Sequence, residues 1–221
     1  MSEQLKSHVR QILASLPEHV ELVAAGKTRS PAELQIVAEA GVRIIGHNYV
    51  QEAEAAIAAI GHPVRWHMIG HLQRNKAKQA VELFDMVESV DSLRLAQALD
   101  RAAAKAGKVL PVLIEVNSGR EPNKHGTMPE EVAELAKQLC AGCPQLRLKG
   151  LMTMGPFLDA AESMRPFFRL TRELLEDLRK QELPGAELST LSMGMSDSYA
   201  IAMEEGATRV RIGTLLFGPR A

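Results

Sequence analysis

The sequence predicts a (β/α)8 barrel over residues 1–221, a TIM barrel in one domain, and three observations carry that prediction. Eight short strand-like segments alternate with helical ones, in about the length such a barrel needs. Several of the strands are unbroken apolar runs, as expected of a parallel sheet covered on both faces. The turn after the first strand, Gly26-Lys27-Thr28, lacks the glycine-rich sequence that the alternative fold, an open doubly wound sheet, would use there.

The elements follow in order. A helix is expected from Ser2 to Leu16, then a strand at Glu21–Lys27. Ser30-Pro31-Ala32-Glu33 has the capping serine, first-turn proline and third-position glutamate of a helix start. Gly41 ends that helix. The second strand is Val42–Gly46 and the next helix Val50–Ile60. Arg65–Gly70 precedes the helix Asn75–Leu83. Met86–Val90 is the fourth strand, with Asp91 capping a long helix that ends near Gly107. Pro111–Asn117 is the fifth, followed by a loop and the helix Pro129–Cys140. Leu148–Met154 leads into the longest helix, Ala161–Gln181. Leu188–Met193 is the seventh strand and Ser198–Glu205 a short helix. Arg209–Phe217 is the eighth strand, with no helix after it. The N-terminal helix would fill that gap in the outer ring.

Composition excludes several classes. Hydrophobic residues make up 46%, enough to bury a sizeable core. With 26 basic and 27 acidic residues the net charge is −1, which gives no electrostatic footprint for nucleic acid or an anionic membrane. The first residues lack an apolar signal core, and no apolar run is long enough to span a bilayer. Two cysteines cannot form a secreted disulfide framework, so a cytoplasmic location is expected. They form Cys140-Ala-Gly-Cys143, read as a helix end because zinc would need further ligands.

In a barrel, chemistry belongs at the C-terminal ends of the strands. The polar residues there are Lys27; His47 and Asn48; His71, Gln73 and Asn75; Asn117; Ser192 to Asp197; and Gly213 with Thr214. Leu22-Val23-Ala24-Ala25-Gly26 carries Lys27 to the rim, where a lysine of depressed pKa attacks aldehydes to form a Schiff base. The plain alternative is an exposed loop lysine. The loops after strands seven and eight, Leu191-Ser192-Met193-Gly194-Met195-Ser196-Asp197 and Arg211-Ile212-Gly213-Thr214, offer backbone amides and hydroxyls to an anion. Together these features suggest a phosphorylated carbonyl ligand. A Schiff-base aldolase and a pyridoxal-phosphate protein both satisfy them.

Several stretches resemble the YggS/PROSC family of pyridoxal-phosphate-binding proteins, the PLP homeostasis proteins. They are Ala24-Ala25-Gly26-Lys27-Thr28-Arg29, Gly46-His47-Asn48-Tyr49-Val50-Gln51-Glu52, Trp66-His67-Met68-Ile69-Gly70-His71-Leu72-Gln73-Arg74-Asn75-Lys76, Gly150-Leu151-Met152, the serine–methionine–glycine stretch above, and Val210-Arg211-Ile212-Gly213-Thr214 with Phe217-Gly218. The resemblance implies a fold like the N-terminal barrel of alanine racemase and pyridoxal 5'-phosphate held as an imine on Lys27. It implies phosphate contacts from Ser196, Gly213 and Thr214, less firmly from Ser192, with Arg211 facing the pyridine nitrogen and Asn48 near the ring. The family usually has glutamate at His47 and often lysine at Arg29; the first difference puts the electrostatics near the imine in doubt.

Other features read as structural. His67 and His71 lie four apart but on a strand and its turn, and His62 sits at the far side, so no metal site is assigned. Met152, Met154, Met193 and Met195 fill the core or line the pocket. The charges from Arg165 to Lys180 are read as the solvated face of a helix, and Gly119–Gly126 as a surface loop near the mouth.

An arginine cannot accept the pyridinium proton, and a racemase needs a second base, for which the chain leaves no further domain. The expected function is therefore cofactor binding, PLP (vitamin B6) homeostasis and delivery to PLP-dependent apoenzymes, with no catalytic residue assigned and a monomer preferred. A PLP-dependent amino-acid racemase or other amino-acid-transforming enzyme is the alternative.

Overall fold

In the computed structural model, which describes residues 2–156, 158 and 160–218, eight parallel strands close into a barrel in chain order. The strands are β1 (Glu21–Ala25), β2 (Ile44–His47), β3 (Arg65–Met68), β4 (Met86–Val90), β5 (Leu110–Val116), β6 (Leu146–Thr153), β7 (Thr190–Ser192) and β8 (Arg209–Ile212). Helix α1 (Ser2–Ser15) precedes them. Between them run α2 (Pro31–Glu39), α3 (Val50–Ile60), α4 (Ala77–Leu83), α5 (Leu93–Ala106), α6 (Val132–Gly142), α7 (Arg165–Arg179) and α8 (Tyr199–Glu204), and α9 (Thr214–Phe217) follows β8. Closure comes from β1 alongside β8, with Glu21 opposite Arg209 and Ala24 opposite Ile212. That closure excludes the open doubly wound sheet.

Local chemistry starts the elements where the sequence indicates. The Ser30 hydroxyl accepts the Glu33 amide proton, and the Glu33 carboxylate accepts the Ser30 amide proton at 2.8 Å, which satisfies two otherwise unpaired donors. Three expectations need correction. Ser92, not Asp91, caps α5, because its hydroxyl is one residue closer and accepts from Leu95 N. The eighth strand stops at Ile212, where the chain turns at Gly213 into α9, so a helical turn does follow it. The charges on α7 are not simply solvated: Arg165, Arg169 and Arg172 converge on buried Glu205 at 3.2, 3.1 and 3.5 Å. Helix α1 fills the outer ring beside α9 and α2 as expected, and the His8 ring meets the Leu215 carbonyl at 2.6 Å. No helix among the described residues is long and apolar enough to cross a membrane.

The period of two in each strand divides the interior. One set of strand side chains, Trp66 among them, packs with helix residues such as Leu34, Leu99 and Phe168 as the main core between barrel and helices. The other set points to the barrel axis. There the apolar contribution is small: Val23, Ile44 and Ile69 form one cluster, Met86, Leu113 and Met152 another. The rest of the axis is polar, with buried His67, Glu88, Ser192, Arg209 and Arg211.

One glycine holds the β6–β7 seam. Gly150 has φ +145°, and a Cβ there would lie 1.9 Å from the Thr190 carbonyl oxygen. The substitution Gly150→Ala therefore meets both backbone strain and a backbone clash. It is expected to cost about 2–4 kcal/mol in urea unfolding of the chain. A loss below about 1 kcal/mol would mean that the seam can shift to accommodate a side chain.

Candidate binding site at the barrel mouth

The floor of the site is a charge network. Glu88 on β4 sits fully buried on the axis. Its Oε1 receives Arg209 at 3.1 Å and pairs with His67 Nδ1 at 2.7 Å, while its Oε2 accepts from the Ser192 hydroxyl at 2.6 Å. Arg209 is shared with Glu21 at the lower rim. Above it, Arg211 donates one amino group to Ser192 Oγ at 2.8 Å and the other to the Thr153 carbonyl at 2.9 Å. Burial alone would raise the Glu88 pKa; the adjacent Arg209, with His67 and Arg211, overcomes that and holds it at about 2. Burial lowers His67, so neutral His67 donates to an ionised Glu88. Ser192 thus belongs to this network, where it joins Arg211 to Glu88.

Above the floor, Lys27, Asn48, Ser196, Arg211, Gly213 and Thr214 line one cavity of about 390 Å³. The six residues come from the ends of β1, β2, β7 and β8, so the barrel closure itself assembles them. Lys27 is half-buried, its Nζ 5.6 Å from the centre of the exposed Tyr49 ring. Thr28, next in the chain, has φ +63°, a left-handed conformation uncommon outside glycine and often found beside functional residues. Ser196 Oγ accepts the Leu215 amide proton at 3.1 Å, which leaves its own proton available to a ligand. Arg29 joins the wall; it bonds to the Gly218 carbonyl at 2.7 Å, pairs with Glu33 at 3.3 Å and stacks on Phe217.

His47 does not line this cavity. It points to the helix side, its ring 5.7 Å from Trp66 and packed against Gly26. Burial depresses its pKa to about 4, so it carries no charge at neutral pH. The sequence difference at His47 therefore puts no charge into the cavity. Asn48 is positioned by a close backbone approach: a Cβ on Gly70 would lie 2.6 Å from the Asn48 Cα.

A second cavity, of about 410 Å³, opens beside the first and shares Asn48, Ile69, Met154 and Met195 with it. The loop Gly119–Gly126 does border this mouth, through Gly119, Asn123, Lys124 and His125. Its floor is Glu115, buried, with Oε2 lacking a hydrogen-bond partner. Cys140 and Cys143 lie far from this chemistry, at the end of α6 and the opposite face of the barrel, and burial raises Cys143 to about 11. Sequence reasoning missed Glu88, Glu115 and Arg209. Their signal was present: a carboxylate in the apolar strand Met86–Val90, another in Leu110–Val116, and arginines two apart in β8, which the period of two puts on one face.

Burial, reinforced by Asp91 and opposed by Arg211, pushes the Glu115 carboxyl up to about 7. A carboxyl with a raised folded pKa stabilises the fold fully below its unfolded value of 4.5, and that contribution is lost as pH rises through 7. Relative to Glu115→Gln, the parent chain is expected to lose about 3 kcal/mol of unfolding free energy between these limits. A difference between the two that does not change with pH would show that folding leaves the Glu115 pKa at its unfolded value.

Comparisons with known proteins agree with the barrel fold. The family model described as alanine racemase, N-terminal domain, matches residues 2–221. The pyridoxal phosphate homeostasis protein of Pseudomonas aeruginosa is 43% identical over 92% of this chain and 86% of its own length. That of Homo sapiens is 37% identical over 98% and 84%. Among solved structures, PipY of Synechococcus elongatus with PLP bound superposes with a TM-score of 0.89 at 35% identity, covering 97% of this chain and all of that one. The chain belongs to the family of pyridoxal phosphate homeostasis proteins, built on the alanine racemase N-terminal domain.

Proposed function

We propose that this chain binds pyridoxal 5'-phosphate as a Schiff base on Lys27 and acts in intracellular vitamin B6 homeostasis, passing the cofactor to PLP-dependent apoenzymes in the cytoplasm. One observation carries the reading: a single cavity gathers a primary amine, a buried guanidinium and a Ser–Gly–Thr cluster. Those are the groups that an aldehyde, a pyridine nitrogen and a phosphate require. The names of the relatives and the cofactor bound to PipY support the same ligand.

The residues present fit the cofactor. The cavity, about 390 Å³, lies within the range of ordinary small-ligand pockets, about 300–1,000 Å³. Bound, the cofactor supplies an electrophilic aldehyde and an electron-withdrawing ring. The Lys27 amine would hold the cofactor through its aldehyde carbon. Ser196 and Thr214 hydroxyls, with the backbone at Gly213, would hold the phosphate, and Asn48 would flank the ring. Arg211 is fixed by its bonds to Ser192 and Thr153. It presents donors only, so it would leave the pyridine nitrogen without a proton. That weakens the ring as an electron sink and favours holding over turnover.

Two measurements test this. Borohydride reduction followed by peptide mapping is expected to place the cofactor on Lys27, and Lys27→Ala to abolish the visible band of the imine. Trapping on a different lysine would overturn the assignment. Charge-assisted hydrogen bonds contribute about 1.5–3 kcal/mol each. Pyridoxal phosphate is therefore expected to bind the cofactor-free chain orders of magnitude more tightly than pyridoxal, and Ser196→Ala to weaken it by about 10–100-fold. Equal affinity for the two aldehydes would refute the phosphate grip.

A further inference from the structure

We infer that His71, Asp91 and His125 form a binding site for a divalent metal ion of the zinc class at the barrel mouth, and that the ion clasps the loop after β5 over the second cavity. The three residues come from three different places: the turn after β3, the end of β4, and the loop Gly119–Gly126. Each presents one ligand atom, and these atoms all lie within 4.8 Å of one another. His71 Nδ1 is 3.2 Å from Asp91 Oδ2. The other carboxylate oxygen accepts from the Ser92 hydroxyl at 3.1 Å, which orients Asp91 as second partners orient metal-bound carboxylates. His125 is held close by its loop, since Thr127 donates its hydroxyl to the Asp91 carbonyl at 3.0 Å and its amide to the Glu115 carbonyl at 2.7 Å.

Two imidazoles and a carboxylate suit zinc, which binds such donors at about 2.0–2.2 Å and leaves a fourth position open in three-ligand sites. Tetrahedral binding at that radius sets ligand atoms about 3.4 Å apart, so these atoms, which lie within 4.8 Å of one another, must both draw closer and reorient. The two rings now stack, centroids 3.5 Å apart and 9° from parallel. Lone pairs on parallel rings do not converge on one point. Metal binding therefore turns one ring out of the stack, and because His125 sits on the loop, the ion would tie that loop to the turn after β3. Both rings line the second cavity, and Asn48 and Ile69 join that cavity to the one holding Lys27. An ion here stands at the entrance beside the cofactor pocket without using any of its residues.

The test uses the full-length chain after treatment with chelator. Zinc chloride is titrated by calorimetry, with the histidine resonances followed by NMR. One ion per chain is expected, binding at micromolar or lower concentration, with the His71 and His125 signals shifting together. His71→Ala, His125→Ala and Asp91→Asn should each weaken binding at least about 100-fold. His62→Ala, at the opposite face, should leave it unchanged. Far-UV circular dichroism identifies any variant that fails to fold, and Asp91→Asn preserves shape where alanine does not. Binding must persist in Lys27→Ala, which separates this site from chelation by the cofactor. Unaltered binding in the His71 and His125 variants, or no binding below millimolar zinc, would overturn the inference.

Discussion

Everything at the mouth rests on one buried carboxylate. Glu88 lies on the barrel axis and faces Arg209 below and, through Ser192, Arg211 above. Two guanidiniums in a closed barrel would repel each other and carry a large desolvation cost. Glu88 offsets both, Glu21 takes the outer share of Arg209, and neutral His67 adds a hydrogen bond without adding charge. Breaking such a network by removing one partner typically costs about 3–5 kcal/mol. The network consequently works as a rigid platform: Arg211 has little freedom to swing, because both its amino groups are already committed.

That platform explains an unusual division of the core. Barrel interiors are ordinarily filled by layers of branched apolar side chains. Here the apolar packing lies mainly outside the sheet, between strands and helices, while the axis gives much of its volume to ions. Stability is supplied by the outer layer, and the inner layer is free to orient charge toward a ligand. The two roles need different residues at alternate positions of the same strand. Arg209, Val210, Arg211 and Ile212 show this within four residues of β8.

Much of the fold was legible because the two periods, 3.6 and 2, differ and because caps such as Ser30–Glu33 mark helix starts. Errors gathered at element ends. Asp91 and Ser92 are both good caps, and the choice depends on which side chain meets the Leu95 amide, which the Ser92 hydroxyl does. The six residues chosen for the cofactor do line one cavity, since strand ends in a barrel must share a rim. What sequence could not supply was orientation. His47 stands between Gly46 and Asn48 at the end of β2, yet the pleat turns it to the helices and Asn48 toward the cavity. The meeting of His71 with His125 was equally hidden, because residues 54 positions apart meet only once the loop folds back on β5.

The two cavities at the mouth differ in what they ask of a ligand. The first has fixed donors: a committed guanidinium, a capped serine and a glycine turn. The second is bordered by a loop and floored by a carboxyl whose pKa of about 7 lets it change charge near neutrality. Their common wall contains Met154 and Met195, unbranched side chains that change rotamer at little cost. The first cavity is thus bounded on one side by rigid polar groups and on the other by a deformable apolar partition, so a change of methionine rotamer alters its shape while its hydrogen-bonding groups keep their places.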